Sequence, residues 1–170
     1  MNPFEVSRAL KNLMLIVDTR EQDTDRLRRR IRQTGLSFVR QKLDFGDYSA
    51  KTTLDNGTEF DISSSVSIER KMNLDELCTC YCKGRKRFTR EFERAKSAGA
   101  KVYLLIENAN WEKAYNGSYR SKMSPQALTA SLFAWLARYD CQIIFCKEET
   151  SGKIIREILY REMKERLENG

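Results

Sequence analysis

The chain has 170 residues, 41% hydrophobic and 32% charged, a balance that suits one soluble domain with a sizeable core. It carries 31 Lys and Arg against 24 Asp and Glu, and the resulting net charge of +7 is compatible with a polyanionic partner. Histidine is absent, which excludes imidazole as base, metal ligand or partner of a catalytic Ser or Cys.

Residues 1–12 read as an N-terminal extension, and 13–170 as a single domain. Met1–Asn12 has no continuous apolar stretch and no later run reaches membrane-spanning length, so a cytoplasmic protein with no membrane partner is expected. Leu13–Val17 is an apolar run ending at Asp18, the pattern of a buried strand. Asp23 or Thr24 can cap a helix whose Leu27 and Ile31 repeat at i, i+4 and which Gly35 stops. Its five arginines, Arg26, Arg28, Arg29, Arg30 and Arg32, suit either a solvated or a phosphate-facing surface. Strands are expected over Leu36–Leu43 and Tyr48–Leu54. Asn56-Gly57 signals a two-residue hairpin, with the returning strand inside Thr58–Lys71.

Asn73–Cys80 reads as a short helix. Arg85–Ala98 reads as a longer one, with Phe88, Phe92 and Ala95 as its apolar stripe. Lys101–Ile106 is an apolar strand ending at Glu107. Ser124-Pro125 opens a helix that buries Leu128, Leu132, Trp135, Leu136 and Tyr139. Gln142–Cys146 is the last strand, and Ile154, Ile155, Ile158, Leu159 and Met163 mark a C-terminal helix. The order predicts an α/β fold with a central mixed β-sheet flanked by helices. Cys78, Cys80 and Cys82 form a C-x-C-x-C run at the end of the expected short helix. Alternate helical residues diverge, so these read as separate thiols rather than a soft-metal site.

Four acidic residues, Asp18, Asp47, Glu69 and Glu107, fall on strands or at their ends and can converge on one sheet edge. Oxygen-only clusters of that kind suit Mg²⁺ or Mn²⁺, which can bind a scissile phosphate and lower the pKa of a bound water. Glu69 and Lys71, two apart on a strand, share a face. A lysine there can orient or deprotonate the attacking water, or stabilise the charge of a phosphorane. Arg70 faces the other way, where it can pair with a carboxylate and brace the strand.

Asp18-x-Arg20-Glu21, Gly46-Asp47-Tyr48 and Val66-Ser67-Ile68-Glu69-Arg70-Lys71 followed by Asp75 together resemble the XPF/Mus-type nuclease domain. That family's hallmark is a Gly-Asp pair, a variable gap, Glu-Arg-Lys, three residues and Asp. Gly84-Arg85 and Leu104-Leu105-Ile106-Glu107 extend the similarity, which spans about Leu13 to Lys147. The resemblance implies a restriction-endonuclease-like core and an Mg²⁺- or Mn²⁺-dependent endodeoxyribonuclease acting on branched or flap DNA, in repair or recombination. It implies Asp18, Asp47 and Glu69 around the metal and Lys71 as catalytic. Arg70 and Asp75 are implied as neighbouring support or DNA contacts, Glu21 is a further supporting candidate, and Arg20, Arg85, Arg87 and Arg90 are the candidate DNA contacts. It also implies pairing with a second copy, for which the C-terminal helices offer an apolar face. The alternative is a non-catalytic DNA-binding or scaffolding subunit, which should have lost acidic or lysine positions of the motif; this chain keeps them all.

Overall fold

The computed structural model describes every residue from Met1 to Gly170. The Asn2 side chain accepts the N–H groups of Phe4 and Glu5, and the Glu5 carboxylate accepts the Asn2 N–H in return. This capping box, with Pro3 in the first turn, starts α1 (Pro3–Lys11). The first twelve residues, expected as an extension, form a helix that packs on the C-terminal helix and buries Val6, Ala9 and Leu10. Each of the larger two contributes about 1.5–3 kcal/mol by burial.

β1 (Met14–Val17), β2 (Ser37–Arg40), β3 (Tyr48–Thr53), β4 (Glu59–Asp61), β5 (Val66–Lys71), β6 (Lys101–Glu107) and β7 (Gln142–Cys146) form one seven-stranded sheet in the order β2-β1-β3-β5-β6-β7, with β4 paired to the distal half of β3. The β1–β2, β5–β6 and β6–β7 pairs are parallel; β3 runs antiparallel to both β1 and β5. The mixed sheet is the one expected. The hairpin differs: Leu54–Thr58 is a five-residue connection, with Gly57 at φ 81° and Asn56 Oδ1 accepting the Thr58 N–H. The returning strand is split into β4 and β5, because the chain turns at Ile62–Ser65 to bury Ile62.

Side-chain alternation gives the sheet two apolar faces. Val66, Ile68 and Leu105 pack with α1, α2 (Asp25–Thr34) and α7 (Glu148–Asn169). Leu104 and Ile106 pack on the other face with α3 (Leu74–Cys82), α4 (Arg85–Ser97) and α6 (Pro125–Tyr139), around Trp135. Thr24 caps α2 through the Leu27 N–H, and Gly35 closes it at φ 65°. Ser124 caps α6 through the Ala127 N–H. A short helix not expected from the sequence, α5 (Trp111–Asn116), precedes α6 and is capped by Asn110. No helix is long and apolar enough to cross a membrane.

Candidate active site

The sheet register assembles the site. Val17 pairs with Tyr48, and Tyr48 pairs with Ile68. The residues just beyond, Asp18, Asp47 and Glu69, therefore meet at one edge and line a pocket of about 350 Å³ with Lys71 and Glu21. Gly46 makes this possible. At φ 78° it occupies the left-handed region, and a Cβ there would lie 2.5 Å from Ser67 Oγ. Without that atom the chain lies against β5, so the Asp47 N–H donates to Ile68 O at 2.8 Å and Asp47 Oδ2 accepts the Arg70 N–H at 2.7 Å.

Glu69 and Lys71 share the pocket face of β5. Lys71 Nζ donates to Glu69 Oε1 at 2.6 Å and lies 5.2 Å from the Phe88 ring centre. The other carboxylate oxygen, Glu69 Oε2, is buried without a partner. Burial pushes the Glu69 carboxyl up to about 7 despite Lys71. Asp47 is raised well above the usual carboxylate range, by desolvation and by the charges of Glu69 and Glu21. Burial would lower Lys71, but Glu69 and Asp47 raise it further, so it stays an ammonium at neutral pH.

The donor set fits a hard divalent cation in a particular way. No three acidic or cysteine side chains lie close enough to hold an ion together. Asp18, expected as a third ligand, lines the pocket with its oxygens already engaged: Oδ1 accepts the Leu43 N–H at 2.8 Å, and Oδ2 accepts Arg20 Nε at 2.5 Å and the Arg20 N–H. Asp47 Oδ1, which accepts no hydrogen bond, and the unpartnered Glu69 Oε2 remain. Two carboxylates, completed by waters and phosphate oxygens, are the usual protein share of an Mg²⁺ site.

Glu107, the fourth expected acid, is not in the pocket. Its alternation places it on the opposite face of the sheet, where Arg70 and Arg30 hold it. Arg70 thus braces β5 from behind, as anticipated. Glu21 accepts a long hydrogen bond from Tyr48 Oη, at 3.5 Å. Asp75 lies outside the pocket and accepts the backbone N–H groups of Arg120 and Ser121. Of the candidate DNA contacts, Arg20 and Arg87 line the pocket. Arg85 lies over the Trp135 ring, and Arg90 borders a separate groove beside Glu93. Glu91 was not singled out from the sequence. From α4 it enters the pocket and accepts the Gly46 N–H at 3.1 Å, steadying the Gly-Asp turn. Its spacing one turn beyond Arg87 was the available signal. The three thiols diverge as expected: Cys78 is buried, Cys80 is half-buried in the pocket and Cys82 is exposed.

Residues 17–158 match the ERCC4 domain. The chain belongs to the ERCC4 domain family. Comparison with curated protein sequences finds no match. Among solved structures, this ERCC4 domain is similar to XPF from Aeropyrum pernix, with a TM-score of 0.61 at 18% identity over 92% of this chain and 62% of that one. It is likewise similar to XPF from Aeropyrum pernix in complex with DNA, with a TM-score of 0.62 at 19% identity over 90% of this chain and 66% of that one. At these identities the likeness carries the restriction-endonuclease-like fold, and the chain spans under two thirds of those proteins' length.

Proposed function

We propose that this chain is a divalent-metal-dependent DNA endonuclease, cutting phosphodiester bonds at branched or flap DNA. The observation that carries this is the pairing of a buried, unpartnered Glu69 Oε2 with Asp47 and an ammonium in one polar pocket. Family membership and the likeness to a protein solved with DNA support it.

Asp47 and Glu69 would hold Mg²⁺ or Mn²⁺, which when bound supplies Lewis acidity at the scissile phosphate. Asp18 holds Arg20, and Glu91 holds Gly46, so both act by placing others. Lys71 donates to a non-bridging phosphate oxygen as negative charge develops. Arg20 and Arg87, at the pocket rim, bind flanking phosphates. The motif is intact, so the non-catalytic scaffold gains no support.

Pairing with a second copy is also part of the reading, but not through α7, whose apolar face is covered by α1, α2 and β3. The free face lies on α5 and α6: Trp111 stacks on Phe133 at 5.0 Å, and Phe133 and Tyr115 are 48% and 57% exposed. The deciding experiment is a cleavage panel of labelled flap, fork, nicked, linear and single-stranded DNA with Mg²⁺, Mn²⁺ or chelator. Metal-dependent nicking near junctions is expected; full activity in chelator, or none on any substrate, refutes the reading.

A further inference from the structure

A second groove, of about 740 Å³, lies beside the metal pocket on the other side of α3. The two share Glu76 and Thr79 as a common wall. The far wall is the 117–124 segment that joins α5 to α6. It has no regular secondary structure, and Asp75 holds it: Oδ1 accepts the N–H groups of Arg120 and Ser121, each at 2.8 Å. Tyr119 Oη donates to Met123 O at 2.8 Å and closes the segment on itself.

The charges in this groove are unevenly committed. Both of its carboxylates are tied to backbone: Asp75 to the segment, and Glu76 to the Met72 N–H at 2.6 Å. Lys83, Arg120 and Lys122 are exposed and make no ion pair and no side-chain hydrogen bond. The groove keeps a small positive excess, three cations against two carboxylates, and its cations are free to turn toward a ligand while its carboxylates are held back by backbone, which favours an anionic ligand. Arg120 is bonded at Asp75, at the start of α3, and Lys83 lies eight residues along. At 1.5 Å per residue these points lie about 12 Å apart along α3, so the cations are spread along the groove rather than gathered at one backbone position. No aromatic side chain lines the groove, so it offers no platform for stacking bases.

We propose that this groove carries the sugar–phosphate backbone of the DNA strand next to the scissile bond, with Arg120 and Lys122 as contacts and Asp75 as the residue that positions them. The proposal rests on the endonuclease reading. It gives the last acid of the motif a task in binding substrate rather than in holding metal, and it makes the contact independent of base sequence.

The test is equilibrium binding of a labelled flap DNA in chelator, at several salt concentrations, so that cleavage plays no part. Arg120→Ala/Lys122→Ala should lower the slope of log affinity against log salt by about 1.4–1.8, and affinity by roughly 25- to 60-fold at 0.1 M salt. Lys11→Ala/Lys164→Ala, on the helices of the opposite face, removes the same charge and should change the slope far less. Asp75→Ala should mimic the double variant and speed tryptic cutting after Arg120 and Lys122. Asp75→Asn keeps an oxygen for both N–H groups and should bind like wild type. Circular dichroism checks that each variant is folded. An equal loss in the Lys11/Lys164 control reduces the effect to net charge and overturns the proposal. Unchanged binding by Arg120→Ala/Lys122→Ala overturns it and leaves the endonuclease reading standing, whereas a wild type that binds no DNA sinks that reading and this one with it.

Discussion

Glu107→Gln tests whether the strand that carries the site is braced from behind. The Glu107 carboxylate accepts Arg70 Nε and Nη2 at 2.8 and 2.7 Å, Arg30 Nε at 3.2 Å and Ser151 Oγ at 2.6 Å. The Arg30 side chain is 3% exposed and that of Arg70 14%, so Arg30 in particular cannot turn to water. Glutamine keeps the shape, removes the charge and turns an NH₂ group toward other donors. Stranding a buried charge costs about 3–5 kcal/mol, and the partial exposure of Arg70 puts the expected loss near the lower end, about 3 kcal/mol. With a urea dependence of about 2 kcal/mol/M, the unfolding midpoint should fall by about 1.5 M at constant slope. Adding Arg30→Met should recover part of the loss, because the stranded charge goes too. The pH dependence has a definite sign. Burial raises the Glu107 carboxyl, but hydrogen bonds from Arg70 and Ser151 and the charges of Arg70 and Arg30 outweigh it, so the folded value lies below the usual range. A depressed folded value stabilises above the unfolded value of about 4.3, and that stability is lost as pH falls below it. The gap between wild type and Glu107→Gln should therefore close below about pH 4.3. A loss under about 0.5 kcal/mol at pH 7, within the range of ordinary surface substitutions, would refute the reasoning.

Lys71→Ala should lower single-turnover cleavage by about 10²-fold or more while DNA affinity changes little, since one preorganised charge at the phosphate is lost; equal rates would remove Lys71 from the chemistry. Asp47→Asn should abolish cleavage by weakening the metal, and Mn²⁺ titration followed by its paramagnetic signal should show weaker binding without any substrate present. Gly46→Ala should cost about 1–2 kcal/mol for the left-handed backbone and a further 1–3 kcal/mol for the contact with Ser67, measured by thermal unfolding. Ser67→Gly in the same chain should restore only the second part. Trp111→Ala/Phe133→Ala should shift any dimer seen by sedimentation to monomer, and an unchanged dimer would place the interface elsewhere.

Much of this protein is legible from short-range pattern. The alternation over Val66–Lys71 puts Glu69 and Lys71 on one face and Arg70 on the other, as the strand has them. Caps at Thr24 and Ser124 and the stop at Gly35 bound their helices, because a cap is a contact within four residues. The capping box of α1 was equally local; what went unseen was that Val6, Ala9 and Leu10 have the distant α7 to bury against. The motif likewise names the acids but not their tasks. Asp18, Glu69 and Glu107 are the same chemistry at similar strand ends, yet one holds an arginine, one has an oxygen free and one is enclosed by two guanidiniums. That difference depends on which lone pairs remain unoccupied: Asp18 meets Arg20 only two residues on but also the Leu43 N–H 25 residues on, and the guanidiniums at Glu107 come from 77 and 37 residues away. Residue type and period set which way a side chain points; only the folded chain sets what it meets there.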